Sequence, residues 1–484
     1  MPLDHDEVAY LMQAELFAHG RWAAPAPPLP DFFGQAHVLV TPVLASKYPP
    51  GHSLLLALGA LVGMPALVVF LLNALRVTLL YALVRRVSDG ATALLACVLS
   101  FLGGTVLRFS ASYYSELTSA AMVLLAWYCL LRWRETWRRA WLLGVAAALG
   151  WTAITRPWTA VAFAVPIGIV IVRDVVRTRR WRDLAAAFAV GACIVAILPL
   201  WAWRTLGDWR RTPAVEYTRD YMPFDFPHFG VVNAAPRLTP PPDVAAINVG
   251  LLQAERLHTI ANLGHDAVAR AKALGESAFP PPTIAFVGFA LVGALALPVE
   301  GWFAVASLAA LFVAYLAHPT WPQWTVYYFE GMSVLSFVAA LGMLMVLRLL
   351  AGESRERRTA APRAAWAGLA CCALLLPTML LYGGNAKRWL RANVAERVRF
   401  EQQVAMLPAP KAIVFVRYGP QHSPHRSLVV NRPDWLAARA WIVYDRGAEN
   451  ARLRAMAPDR KAYLYEQAED RYIELPPTDQ GSTR

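Results

Sequence analysis

Residues 65–86 read PALVVFLLNALRVTLLYALVRR. A proline opens the stretch, one charge (Arg76) interrupts it, and two arginines close it. Roughly 20 consecutive apolar residues is the length at which an α-helix crosses the hydrocarbon of a bilayer. A helix of a soluble bundle would keep one face polar, and this stretch has none. Similar blocks recur at 65–85, 91–108, 114–133, 140–155, 157–173, 183–205, 283–298, 301–317, 326–348 and 365–383. A further apolar stretch, 52–64, ends at Pro65. It is short for a span and reads as a re-entrant or interfacial segment.

Composition agrees with this reading. The 484 residues are 57% hydrophobic and 16% charged, against about 45–50% and about 25% in soluble domains. An all-α polytopic membrane protein of about 10–11 transmembrane helices is expected. The net charge of +13 does not point to nucleic acid, because the arginines cluster between apolar blocks as they do in cytoplasmic loops. Cys97, Cys129, Cys193, Cys371 and Cys372 all lie inside apolar blocks without metal-ligand spacing, so they read as small buried hydrophobes.

Arginine position sets the topology. Arg85 and Arg86 follow the first span; Arg132, Arg134, Arg138 and Arg139 the third. Arg173, Arg177, Arg179, Arg180 and Arg182 follow the fifth, and Arg348, Arg355, Arg357, Arg358 and Arg363 the ninth. The short loops 109–113 and 318–325 hold no Lys or Arg. Ten alternating crossings satisfy all of these loops. Three regions then face outward: the segment 1–51, the loop 206–282 within the bundle 52–383, and the tail 384–484. The loop has a proline-rich stretch from Pro236 to Pro242 and an expected amphipathic helix near 248–276, with Leu251, Leu252, Leu257 and Ile260 at helical spacing. The tail reads as a small α/β domain with strands at Ala412–Tyr418, Trp441–Tyr444 and Lys461–Glu466. An outward start at 1–51 with no preceding span leads to one more expectation, a further helix encoded upstream of Met1.

The residues able to carry chemistry gather on the outward side. Asp4-His5-Asp6-Glu7 offers carboxylates that can act as a general base or hold a divalent cation; its plainer reading is a solvated acidic segment. Lys47-Tyr48-Pro49-Pro50-Gly51-His52 places a cation near headgroup depth, to hold a lipid phosphate or to anchor at the interface. Glu116 enters an apolar span, where ionisable groups are costly and are usually paired or functional. Arg156, in Thr155-Arg156-Pro157-Trp158, is the basic residue of an outward turn; it suits an anionic group or an interfacial anchor. The turn from His318 to Glu330 carries Tyr327 and Tyr328 beside Trp321 and Trp324, an ordinary aromatic belt apart from Glu330, which lies just inside a span. No phosphate-binding loop, dinucleotide fingerprint or zinc-protease motif competes.

The order of these motifs resembles the GT-C glycosyltransferases, most closely the family 39/83-like branch with the protein O-mannosyltransferases and the aminoarabinose transferases of lipid A. The resemblance covers roughly residues 1–383. It implies a helical bundle with an outward cavity and a donor sugar linked to polyprenyl phosphate. It implies that Asp6 and Glu7 form the catalytic motif, with Asp6 as base, and that Lys47 and Arg156 hold the donor phosphate. Tyr48, His52, Glu116, Tyr327 and Glu330 would line the cavity. Asp4 and Asp6 also form a DxD pattern that holds a metal in some relatives, so a divalent cation is the one cofactor left open. Ser46 departs from the aminoarabinose transferases, which carry an acid there.

The resemblance further implies inverting transfer to a hydroxyl or phosphate on a lipid, glycan or protein acceptor. The place would be the outer, periplasmic face of the inner (plasma) membrane, among membrane lipids. The rival reading is a polytopic transporter or flippase of lipid-linked sugars, which would more often show repeated halves or broken helices at the midplane.

Overall fold

The computed structural model describes residues 2–280, 283–350 and 362–476. The chain opens with α1 (His5–Ala18) and three short strands, β1 (Ala24–Pro25), β2 (Val38–Leu39) and β3 (Val43–Ser46), in the order β1-β3-β2. Then come α2 (Gly51–Ala60), α3 (Pro65–Val87), α4 (Gly90–Ser100), α5 (Gly104–Ser110), α6 (Glu116–Thr136), α7 (Arg139–Ala153) and α8 (Pro157–Thr178). A long apolar helix follows as α9 (Trp181–Val195) and α10 (Ile197–Leu206). The loop beyond it holds α11 (Pro213–Tyr221), α12 (Pro242–Leu257) and α13 (Leu263–Ala278). The bundle closes with α14 (Phe286–Ala294), α15 (Val299–Leu316), α16 (Phe329–Leu350) and α17 (Pro362–Met406).

Every expected span overlaps helical structure, and five stretches are long and apolar enough by themselves to cross a membrane: Pro65–Val87, Pro157–Thr178, Trp181–Leu206, Val299–Leu316 and Thr325–Leu350. The others are shorter, bent or more charged. The expected span 91–108 is broken into α4 and α5, which meet at 80°. A Cβ on Gly103 would lie 2.8 Å from the Ser277 carbonyl oxygen, so the chain turns where α13 passes closest. The last expected span, 365–383, is part of a 45-residue helix that runs on to Met406. α2 has 10 residues and is too short to span. Arg355, Arg357 and Arg358 lie outside the described residues.

Close backbone approach sets part of the packing. A Cβ on Gly293 would sit 2.0 Å from the Val338 carbonyl oxygen, and one on Gly342 1.8 Å from that of Phe289. α14 and α16 therefore cross backbone to backbone, as small residues permit between membrane helices. At one end of the bundle the arginine-rich turns are knitted together: Arg86 with Glu135 (2.9 Å), Arg134 with Asp174 (2.9 Å), Arg139 with Asp183 (2.7 Å) and Arg348 with Asp89 (3.1 Å).

The opposite end carries residues 2–50, the loop after α10 and the tail, packed on one another. The expected single helix near 248–276 is two helices, α12 and α13, and its apolar Leu257 and Ile260 are exposed (60% and 74%) rather than buried. In the tail, β4 (Ala412–Arg417), β5 (Ala440–Tyr444), β6 (Lys461–Glu466) and β7 (Arg471–Glu474) form a sheet in the order β5-β4-β6-β7. β4 is parallel to both neighbours and β7 antiparallel to β6; β7 was not expected. One sheet face buries Phe415, Trp441 and Val443 against Phe32 and Phe33. The other buries Val414 and Tyr465 against Phe400 of α17. The sheet is thus clamped between the first segment and the extension of the last helix, and its loops reach the start of α1.

Candidate active site

Adjacent residues on a helix point about 100° apart, and the start of α1 separates its carboxylates accordingly. Glu7 is buried, and its oxygens accept the backbone N–H groups of Leu3 (2.7 Å), Asp4 (3.2 Å) and Tyr113 (2.8 Å). Such groups at a helix start have no partner within the helix. Burial raises the Glu7 pKa, with the three amides opposing. Asp4 turns to Arg108 (2.7 Å) and the Tyr114 hydroxyl (3.0 Å).

Asp6 points elsewhere and stays partly exposed, at 22% of its side chain. Its Oδ1 accepts a hydrogen bond from the Tyr48 hydroxyl, and its Oδ2 one from Tyr114 at 3.4 Å. His5 Nδ1 lies 3.0 Å from Oδ2 and His37 Nε2 3.6 Å from Oδ1. Burial alone would raise the Asp6 carboxyl, yet the two imidazoles and the hydrogen bonds from His5 and Tyr48 hold it well below the usual carboxylate range. His37 is itself pushed well down by burial and by Lys47. His425, from the loop after β4, places Nδ1 2.9 Å from His5 Nε2.

Lys47 follows β3, and its backbone N–H donates to the His37 carbonyl (2.9 Å). Its Nζ lies 2.7 Å from Asp225 Oδ2, between the rings of Tyr48 (5.5 Å) and Tyr217 (5.2 Å). Burial would raise Asp225, but Lys47 and His318 bring it down to about 2. After Tyr48 two prolines turn the chain into α2, where the Gly51 N–H donates to the Ile154 carbonyl at 2.8 Å. A Cβ on Gly51 would meet Thr155 Oγ1 at 2.3 Å. Only glycine lets this turn press on the turn that holds Arg156. His52 does not line an opening: it is fully buried, with Nδ1 2.8 Å from Thr118 Oγ1 and Nε2 2.8 Å from the Tyr113 carbonyl. It ties α2 to α6.

Arg156, at the head of α8, is enclosed by acids. Nη1 donates to Glu116 Oε1, Nε lies 3.3 Å from Glu330 Oε1, and Nη2 donates to the Tyr315 hydroxyl at 3.1 Å. Ser119 donates to Glu330. The rings of Tyr315 and Tyr327 each lie 5.9 Å from the guanidinium carbon, and Tyr327 also stacks on His318 at 5.8 Å. Tyr10 joins the two groups: its ring stacks on Tyr48 at 4.4 Å and its hydroxyl donates to Ser115 (2.8 Å), which neighbours Glu116.

The structure thus gathers Asp6, Tyr48, Lys47 and, behind them, Arg156, Glu116, Glu330 and Tyr327. It does not bring Asp4, Glu7 or His52 to the same surface. Sequence reasoning missed His37, Asp225, Tyr114, Tyr217, Tyr315 and His425. Tyr315 lies inside an apolar block and the others in segments without a motif, so no sequence signal singled them out. The Asp4–Asp6 pair does not fit a metal, because Asp4 is engaged by Arg108 and Tyr114. Among the described residues the donors that converge are His5, Asp6 and His37, within 4.8 Å of one another. Two imidazoles and one carboxylate suit zinc-like rather than magnesium-like ions.

No protein-family model matches the chain, and no curated protein matches it. Solved structures do. ArnT from Cupriavidus metallidurans bound to undecaprenyl phosphate superposes with a TM-score of 0.53 at 15% identity, over 96% of this chain and 90% of that one. The apo state of the same protein gives a TM-score of 0.53 at 15% identity, over 96% and 89%. The Archaeoglobus fulgidus oligosaccharyltransferase in complex with Zn and sulfate is a looser likeness, with a TM-score of 0.47 at 15% identity over 96% and 64%. The chain has the GT-C fold.

Proposed function

We propose that this protein is an inverting membrane glycosyltransferase that moves a sugar from a polyprenyl-phosphate donor to a hydroxyl or phosphate of a lipid, glycan or protein acceptor, on the outer face of the inner membrane. One observation carries the reading: a partly exposed carboxylate, Asp6, is held as an anion by Tyr48, whose ring also lies against Lys47, at one end of a GT-C bundle. The undecaprenyl phosphate bound to ArnT supports a donor of this class.

In this reading the acceptor oxygen attacks the anomeric carbon, the bond from that carbon to the phosphate oxygen breaks, and polyprenyl phosphate leaves with the electron pair. The leaving group is good, so no strong general acid is needed. What is needed is a proton acceptor on one side and positive charge on the other. Asp6 takes the hydroxyl proton late, as the new bond forms, because a carboxylate with so low a pKa is a weak base for a free alcohol. Lys47 meets the phosphate and shares its charge with Asp225. Glu7 acts as a positioning residue for α1. Arg156, balanced by two carboxylates, holds the wall formed by Tyr315 and Tyr327. His5, Asp6 and His37 are the residues that would hold a cation, which would supply extra positive charge beside the acceptor.

The test is release of polyprenyl phosphate by the full chain reconstituted in vesicles with a mixture of polyprenyl-phosphate sugars. Lys47→Met is expected to raise the donor KM about 30-fold, the worth of one charge-assisted contact. Movement of intact lipid-linked sugar across the bilayer without bond cleavage would favour the transporter reading and overturn this one.

A further inference from the structure

At the same end of the bundle, away from Asp6, an open groove of about 670 Å³ separates the turn after α1 from the last turn of α10. Arg21 and Trp22 line one side, and Trp203, Arg204 and Thr205 the other. No acidic side chain among the described residues lines it, and neither guanidinium has a hydrogen-bond or ion-pair partner among the described residues. Thr205 is 5% exposed, and its Oγ1 is buried without a hydrogen-bond partner. Trp203 is 54% exposed. Two unopposed cations, a hydroxyl with nothing to bond and flanking indoles make a receptor for a phosphate at the depth where indoles sit in a bilayer.

The place of the groove decides which phosphate. It lies at the end of the span Trp181–Leu206, the least buried of the five, with 11% of its apolar window covered by protein against 22–56% in the others. The apolar length of that helix is largely uncovered by protein, and at its last turn Trp201, Ala202 and Thr205 are buried while Trp203 and Arg204 are exposed, so the groove is entered from the Trp203 and Arg204 side. We propose that it binds the headgroup of an anionic membrane phospholipid, with the phosphate on Arg21, Arg204 and Thr205. Arg21 follows the last turn of α1, the helix whose first turn carries Asp6. A bound lipid therefore pins to the membrane the far end of the helix that carries the candidate base.

The inference does not depend on the proposed reaction, and its test needs no donor. The full chain is placed in nanodiscs of phosphatidylcholine doped with phosphatidylglycerol, and retained lipid is counted by native mass spectrometry. One tightly retained phosphatidylglycerol is expected. Arg21→Gln with Arg204→Gln is expected to weaken its retention about 30-fold, from roughly fivefold per surface arginine. Arg21→Lys with Arg204→Lys keeps both charges, and its retention should stay close to wild type, which separates lost binding from lost folding. Equal retention by the Gln pair and wild type, or equal retention of phosphatidylcholine, overturns the proposal.

Discussion

Two polar clusters lie side by side at one end of this bundle, and they are built on different terms. Around Asp6 the partners are its neighbour His5 and, from segments far apart in the chain, His37, Tyr48 and Tyr114, with the Lys47–Asp225 pair beyond the Tyr48 ring. The two carboxylates remain partly open, at 22% and 25% of their side chains. Around Arg156 the partners come from the ends of helices, and the acids are closed off, Glu116 at 5% and Glu330 at 0%. A charge that is enclosed and fully paired is costly to disturb and has little left for a ligand. A charge held by hydrogen bonds at a partly open surface can exchange a partner for substrate. The contrast assigns chemistry to the first cluster and wall-building to the second.

The largest effect that would break this contrast is expected from Arg156→Met. It strands two buried carboxylates and should cost about 3–5 kcal/mol, read as a fall in the unfolding temperature in detergent. Unchanged stability with lost activity would move Arg156 into the class of Asp6.

Asp225→Asn tests the open cluster from its stable side. The folded pKa of Asp225, about 2, lies below its ordinary 3.8, so its ionised form favours the folded state. This adds about 2 kcal/mol above roughly pH 4, lost as pH falls through about 2. The variant should be less stable by that amount at neutral pH, and the gap should close in acid. A gap that persists at the lowest pH would mean that Lys47 and Asp225 do not form the pair.

Tyr48→Phe sharpens the contrast with a smaller change. It removes one donor to the Asp6 anion, worth about 1.5 kcal/mol, and should raise the pKa of the carboxyl. It should also shift the acid limb of the pH–rate profile to higher pH, because an anion with fewer donors is protonated sooner. An unshifted limb would detach Tyr48 from the base.

The bundle was legible because hydropathy is local: an apolar block names its helix without help from the rest of the chain. It failed where helix and membrane part company. α17 runs on past 383 because hydropathy marks where the lipid ends, not where the helix does. The block 91–108 breaks beside the Gly103-Gly104 pair, which was visible but equally consistent with a tight crossing. In the site, the order Asp6, Lys47, Glu116, Arg156, Glu330 was readable along the chain. The division of labour between Asp6 and Glu7 was not, since it depends on which way each points from α1. The His37, Asp225 and His425 contributions were invisible, because they sit in loops without periodicity and meet their partners across long stretches of chain.

The most direct test is Asp6→Asn in the reconstituted full chain, with turnover of polyprenyl-phosphate sugar and thermal unfolding measured on the same preparation. The expected result is a loss of about 10²–10⁴ in kcat, the usual contribution of a positioned base, in a protein that still unfolds cooperatively, at a lower temperature than wild type because the fold favours the Asp6 anion. Turnover equal to wild type in a folded Asp6→Asn protein would contradict it, and the open cluster would no longer be the seat of the chemistry.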